Sequence, residues 1–85
     1  MIEEKVRELI SESLNEKGYD IDNIEYVKEG SNYFLRVFIK KDGEIEIEDC
    51  VVACKIINPI LDEYDLIKES YILDVCSSGK GDFNE

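Results

Sequence analysis

The chain has 85 residues, enough for one domain and one core, and a domain of this size hides only about 60 to 65 per cent of its unfolded surface. Twenty-one acidic residues against ten basic ones give a net charge of -11, a field that repels phosphate backbones and disfavours a nucleic-acid binder acting alone. The excess acid reads either as a device for solubility or as an attraction to basic proteins or a positively charged neighbouring domain.

The chain contains no histidine, which excludes Ser/His and Cys/His nucleophiles, histidine proton shuttles and histidine metal ligands. Three cysteines with no Cys-x-x-Cys fit reduced thiols in the cytoplasm. The start, Met1-Ile2-Glu3-Glu4-Lys5, carries charge within three residues and lacks the apolar stretch of a signal peptide. No run approaches the roughly 20 apolar residues of a membrane helix. The expectation is a cytoplasmic protein with no membrane partner.

In chain order, Val6, Leu9, Ile10 and Leu14, led by Ile2, fall on one face at helical spacing and predict an amphipathic helix from Glu3 to about Lys17. Gly18 stands where a left-handed residue would close it. Asp20 to Asn23 reads as a polar lead-in. Ile24 to Lys28 then alternates as a strand with Ile24 and Tyr26 inward. The turn residues Glu29-Gly30-Ser31-Asn32 join it as a hairpin to the stretch Tyr33 to Lys40. That stretch is dense enough in apolar residues to want cover on both sides, with Tyr33, Leu35, Val37 and Ile39 on one face and Phe34, Arg36 and Phe38 on the other. It is the expected central strand. Lys41-Asp42-Gly43 ends it in a further turn.

Acids at Glu46, Glu48 and Asp49 suit a helix start, so a second helix is predicted from about Ile47, with Cys50, Ala53, Cys54, Ile57 and Leu61 as its buried stripe. Pro59 should kink it or finish it soon afterwards. Val51, Val52 and the edge of Ile56 lie off the stripe and form a candidate contact patch. Asp62 to Ser70 is a polar connection with a turn of helix around Tyr64 to Ile67. Tyr71 to Cys76 is a third strand with Tyr71, Leu73 and Val75 on one face, able to lie parallel to the second through the helical crossover. The tail from Ser77 to Glu85 is expected to be loose.

This order implies an α+β fold, an αββαβ two-layer sandwich with two helices on one face of a three-stranded mixed sheet. The opposite face would show Phe34, Phe38 and Ile72. Two aromatics flanking Arg36 on an uncovered sheet form a candidate docking surface, or the seat of another domain; the alternative is that long side chains cover them.

Signals for chemistry are few. Cys50 and Cys54 are one helical turn apart, but a closed zinc site needs four ligands and Cys76 supplies at best a third, so packing is the better reading. Ser78-Gly79-Lys80-Gly81 lacks the spacing and following helix of a phosphate loop. No acidic spacing matches a calcium loop, and no Gly-x-x-Gly with a basic groove marks a KH module. No catalytic, cofactor-binding or metal-binding residue is assigned.

The ordered stretches Gly18-Tyr19, Ile24 to Gly30, Leu35 to Ile39, Gly43, Ile45 to Cys50 and Tyr71 to Ser78 together resemble the N-terminal domain of the ribosome maturation factor RimP. The resemblance implies a non-enzymatic factor, without cofactor, for maturation of the small (30S) ribosomal subunit, with basic ribosomal proteins as partners and direct RNA contact open. By resemblance the binding candidates are Arg36, the Glu48-Asp49 start of the second helix and the Ser77-Ser78 end of the third strand, beside Phe34 and Phe38. In the family an SH3-like barrel follows this domain. The resemblance leads to the expectation that residues 1–78 form this domain and 79–85 a flexible tail with the barrel absent, as in an excised domain or a short natural relative. Glu46 stands where a better capping residue is common, at a cost of about 1 kcal/mol unless another group caps the helix. The competing reading is weak self-association, or docking without a ribosomal role, through Val51, Val52, Ile56 or the Phe34 and Phe38 face.

Overall fold

The computed structural model describes residues 1–78. Helix α1 runs Ile2–Glu16, strand β1 Asp20–Glu29, strand β2 Asn32–Lys40, helix α2 Ile47–Tyr64 and strand β3 Tyr71–Ser77. The strand order is β1-β2-β3, with β1 antiparallel and β3 parallel to β2. Two helices and a three-stranded mixed sheet in the order αββαβ make the α+β sandwich expected from the residues, with Tyr33 to Lys40 at its centre.

Helix α1 forms because Val6, Ile10 and Leu14 repeat every fourth residue and all three are fully buried. It closes in a Schellman arrangement. The amide of Gly18 donates to the Asn15 carbonyl and that of Tyr19 to Leu14, which requires the positive φ of +92° that glycine adopts at little cost. The hairpin turns on Gly30-Ser31, with the positive φ on its first residue as in type II′ turns.

The helix-side face of the sheet contributes Ile24, Leu35, Val37 and Ile39 to one core with Val6, Ile10 and Leu14 of α1 and Ala53, Ile57 and Leu61 of α2. Tyr71, Leu73 and Val75 pack against that core, as their alternation predicts. Cys50 and Cys54, at the edge of the α2 stripe, are only half-buried.

Four boundaries differ from the sequence reading. β1 starts at Asp20, so the polar lead-in is strand. A bulge at Asp22, between the pairs Ile21↔Ile39 and Asn23↔Phe38, lets Ile21 and Ile24 pack toward the same core although they are three residues apart. Helix α2 continues past Pro59 to Tyr64. The carbonyl that Pro59 leaves without an amide belongs to Lys55, and both residues are exposed, so water can serve it. No separate turn forms at Tyr64 to Ile67; Asp65, in the left-handed region with φ of 50°, closes α2 by donating its amide to Leu61, and Ile67 enters the core from an irregular loop. Ser77 ends β3, and the Ser78 amide donates to the Ile39 carbonyl at 2.9 Å, so both are held to the sheet. The expectation for the tail 79–85 lies outside the described residues.

The weak cap expected at Glu46 is compensated. Asp49, at the third helical position, accepts the Glu46 amide on Oδ2 at 2.7 Å.

Candidate functional site

Both helices pack on one side, so the alternate residues of the strands form an open face in three cross-strand rows. At the hairpin end stand Val27, Phe34 and Ile72, then Glu25, Arg36 and Asp74, then Asn23, Phe38 and Cys76. Phe34, Arg36 and Phe38 follow one another along β2 because they are alternate residues of one strand.

Arg36 is held rather than free. Its guanidinium extends back across the Phe34 ring, 5.0 Å from the centroid, and donates from both terminal nitrogens to Glu29, at 3.1 and 3.2 Å. Its Nε lies 3.5 Å from Asp74 Oδ2. The pair with Glu29 raises the Arg36 pKa and lowers that of the Glu29 carboxyl. The two acids offset the cation, and the guanidinium plane covers part of Phe34. Both earlier readings of this face therefore meet: the aromatics sit on the open side, and a long side chain partly shields one of them.

At the other end of the face, Asp22, Asn23, Glu25, Phe38, Ser77 and Ser78 line an open notch of about 250 Å³. Its wall is the bulged part of β1 and its floor is Phe38. Lys40 Nζ lies 3.6 Å from Asp22 Oδ1 at the rim. The fold thus brings Phe38, Ser77 and Ser78 together, with Arg36 one row away.

Glu48 and Asp49 are elsewhere, at the start of α2. Glu48 is exposed. Asp49 is engaged by its own chain: besides the Glu46 amide it accepts the Tyr19 hydroxyl on Oδ1 at 2.7 Å and faces Lys41 Nζ at 2.9 Å. The Glu46 amide first, then Lys41 and Tyr19, hold its carboxyl down at about 2. It ties the end of α1, the end of β2 and the start of α2 into one clasp, which makes it an anchor more than an offered acid.

The thiols of Cys50, Cys54 and Cys76 are all pushed up, chiefly by burial, and so stay protonated at neutral pH. None is an activated nucleophile. Among the described residues no group of three His, Cys, Asp or Glu side chains is placed to hold a metal ion, and no helix is long and apolar enough to cross a membrane. Val51 and Val52 are exposed, and Ile56 is half-buried with one side against the core.

Residues 9–81 match the family model of the RimP N-terminal domain. The chain belongs to that family. RimP proteins are ribosome maturation factors and generally non-catalytic, so this is a domain of the ribosome-maturation class. The match covers all three strands that carry the open face and the clasp around Asp49.

Several partners in this RimP domain escape a reading of the residues alone. Glu29 and Asp74, which hold Arg36, become visible only once the hairpin register and the parallel pairing of β3 are known. Asp22, Asn23 and Glu25 enter the notch because of the bulge. Tyr19 meets Asp49 across 30 positions of sequence.

Proposed function

We propose that this domain acts, without catalysis, in maturation of the small ribosomal subunit in the cytoplasm, binding the immature 30S particle through protein-protein contacts made by the open sheet face. Membership of the RimP N-terminal family supports the setting. The observation that carries the choice of surface is the pre-positioned Arg36 between Phe34 and Phe38, with Ser77 and Ser78 at the rim of the notch. A side chain already fixed by two acids loses little further freedom on binding, and half-buried aromatics beside it supply apolar area. Basic ribosomal proteins are the natural partners, since a charge of -11 speeds their approach and resists bare RNA. Glu48, exposed at the start of α2, adds to that field.

The test is co-sedimentation of the purified chain with immature small subunits at low salt. The wild type should pellet with the particle and lose the association as salt rises. Phe34→Ala combined with Phe38→Ala should release it, while Val52→Thr, on the outer side of α2, should not. Failure of the wild type to bind, under conditions in which a two-domain RimP binds, would rule out independent recognition by this domain.

A further inference from the structure

The sheet has two outer strands, and they are built differently. β1 carries the Asp22 bulge and charged residues at Asp20, Glu25, Lys28 and Glu29, the features that stop an outer strand from pairing with further chain. β3 reads Tyr71-Ile72-Leu73-Asp74-Val75-Cys76-Ser77, with an unbroken register to β2 and with no proline, glycine or lysine. Over Tyr71 to Cys76 its outer row of amides and carbonyls has no neighbouring strand among the described residues.

Two apolar ledges border this edge. On the open face Ile72 is 48% exposed. On the helix side α2 packs beside β3, with Cys50 and Cys54 on the flank within reach of the Asp74 charge. Ile47 precedes Cys50 by three residues and Val51 precedes Cys54 by three, so both project from the same flank, further from the core. Ile47 is 84% exposed and Val51 47%. Two of the four large apolar side chains that α2 leaves exposed, Ile47 and Val51, thus stand beside a strand edge that no other strand covers among the described residues.

A second copy of the chain is a poor occupant. Asp74 is the middle residue of β3, and a symmetric antiparallel pair of β3 strands in full overlap would set Asp74 directly against its own copy. Each copy also brings a charge of -11. The same features favour a cationic partner. We propose that the outer edge of β3 receives an extended segment of a basic protein as a fourth strand, its apolar side chains resting on Ile72 and on the Ile47 and Val51 ledge, and a cationic side chain meeting Asp74. The main-chain bonds supply the pairing, and the ledges and Asp74 select the sequence. This contact lies along the outer edge of β3, shares only Ile72 and Asp74 with the open sheet face, and does not depend on the ribosomal role.

The experiment titrates the 85-residue chain with a capped heptapeptide of alternating valine and arginine, followed by amide exchange and chemical shifts in NMR. A twin N-methylated at every amide has the same charge and side chains but no strand donors. The unmodified peptide should slow exchange of alternate amides in Tyr71 to Val75 by about tenfold or more, and the methylated twin should bind at least about tenfold more weakly. Val51→Thr and Ile72→Thr, both neutral and exposed, should each weaken the unmodified peptide about threefold, and Val52→Thr should leave it unchanged. Equal binding by the two peptides, protection on β1 instead of β3, or no response at about 1 mM peptide would overturn the proposal. Sedimentation showing a dimer joined through β3 would overturn the choice of occupant. Loss of 30S association with peptide binding intact counts against the ribosomal reading alone, and the reverse result counts against strand addition alone.

Discussion

Replacing Tyr19 by Phe isolates one arm of the clasp that joins α1, β2 and α2. The ring stays buried, so packing is kept, and only the hydroxyl bond to Asp49 Oδ1 is lost. A hydrogen bond to a charged group contributes about 1.5 to 3 kcal/mol. Asp49 keeps the Glu46 amide and Lys41 on its other oxygen, which lowers the expected loss to about 1 kcal/mol. For 85 residues the unfolding entropy near the midpoint is about 0.18 kcal/mol/K, so Tm should fall by about 6 °C at neutral pH. The effect should itself depend on pH. The Asp49 carboxyl is depressed to about 2, so its stabilising share is present above the unfolded value near 4 and is lost as pH falls through about 2. Charge-assisted bonds are about twice as strong as neutral ones, so below pH 2 the difference between Tyr19→Phe and wild type should shrink to about half or less. Calorimetry or circular dichroism melts of both proteins across that range decide the matter. A Tm difference that stays constant as Asp49 titrates, or that persists unchanged in an Asp49→Asn background, would refute the clasp.

Two further outcomes follow from the core and the aromatic row. Leu35→Ala opens a void beneath the central strand, where Leu35 is fully buried, and should cost about 3 kcal/mol of a total stability of about 4 to 13 kcal/mol, read as a lower urea midpoint; a loss under about 1 kcal/mol would contradict the placement of this strand. Burial, and then the hydroxyl bond to Glu69, push Tyr26 up to about 12. A raised value means stability complete below the ordinary tyrosine range near 10 and lost as pH rises toward 12, so Tyr26→Phe should flatten that alkaline decline, and ultraviolet titration should find one phenol ionising well after the others.

The architecture was readable because local signals agreed with one another. The four-residue repeat of Val6, Ile10 and Leu14, the glycine after α1 and the two-residue period from Tyr33 to Lys40 each name one element, and their order leaves few ways to cover one face of the sheet. What escaped depends on contacts between distant residues or on a broken period. The Asp22 bulge shifts Ile21 out of alternation with Ile24, so the first half of β1 resembles a loop. Pro59 ends a helix only where the carbonyl it strands cannot reach water, and that exposure is a property of the folded surface. Ile67 carries no period at all, yet it fills the core. The candidate site divides in the same way. Alternation alone put Phe34, Arg36 and Phe38 on one face, whereas the fixing of Arg36 by Glu29 needs the hairpin register, and the engagement of Asp49 needs Tyr19 and Lys41 brought to it.

That division separates the acids by role. Asp49 is satisfied within the chain, and Glu29 and Asp74 offset Arg36, so their carboxylates are engaged on the surface they occupy. Glu48 and, on α1, Glu4, Glu8, Glu12 and Glu16 are exposed and contribute to the long-range field. A partner drawn in by that field meets, at contact, a face whose local charge is largely balanced and whose accessible area is Phe34, Phe38, Val27 and Ile72. Screening by salt should therefore slow association more than it speeds dissociation, because the field acts at a distance while the apolar contacts act once the surfaces have met. Arg36 then serves chiefly to hold Phe34 in place and to keep the centre of the face from presenting an uncompensated charge. A partner cation must displace it to reach Glu29, whereas Asp74, met by Arg36 only at Oδ2 and 48% exposed, can be approached from the outer side of β3 with that network intact, as can the Phe38 floor.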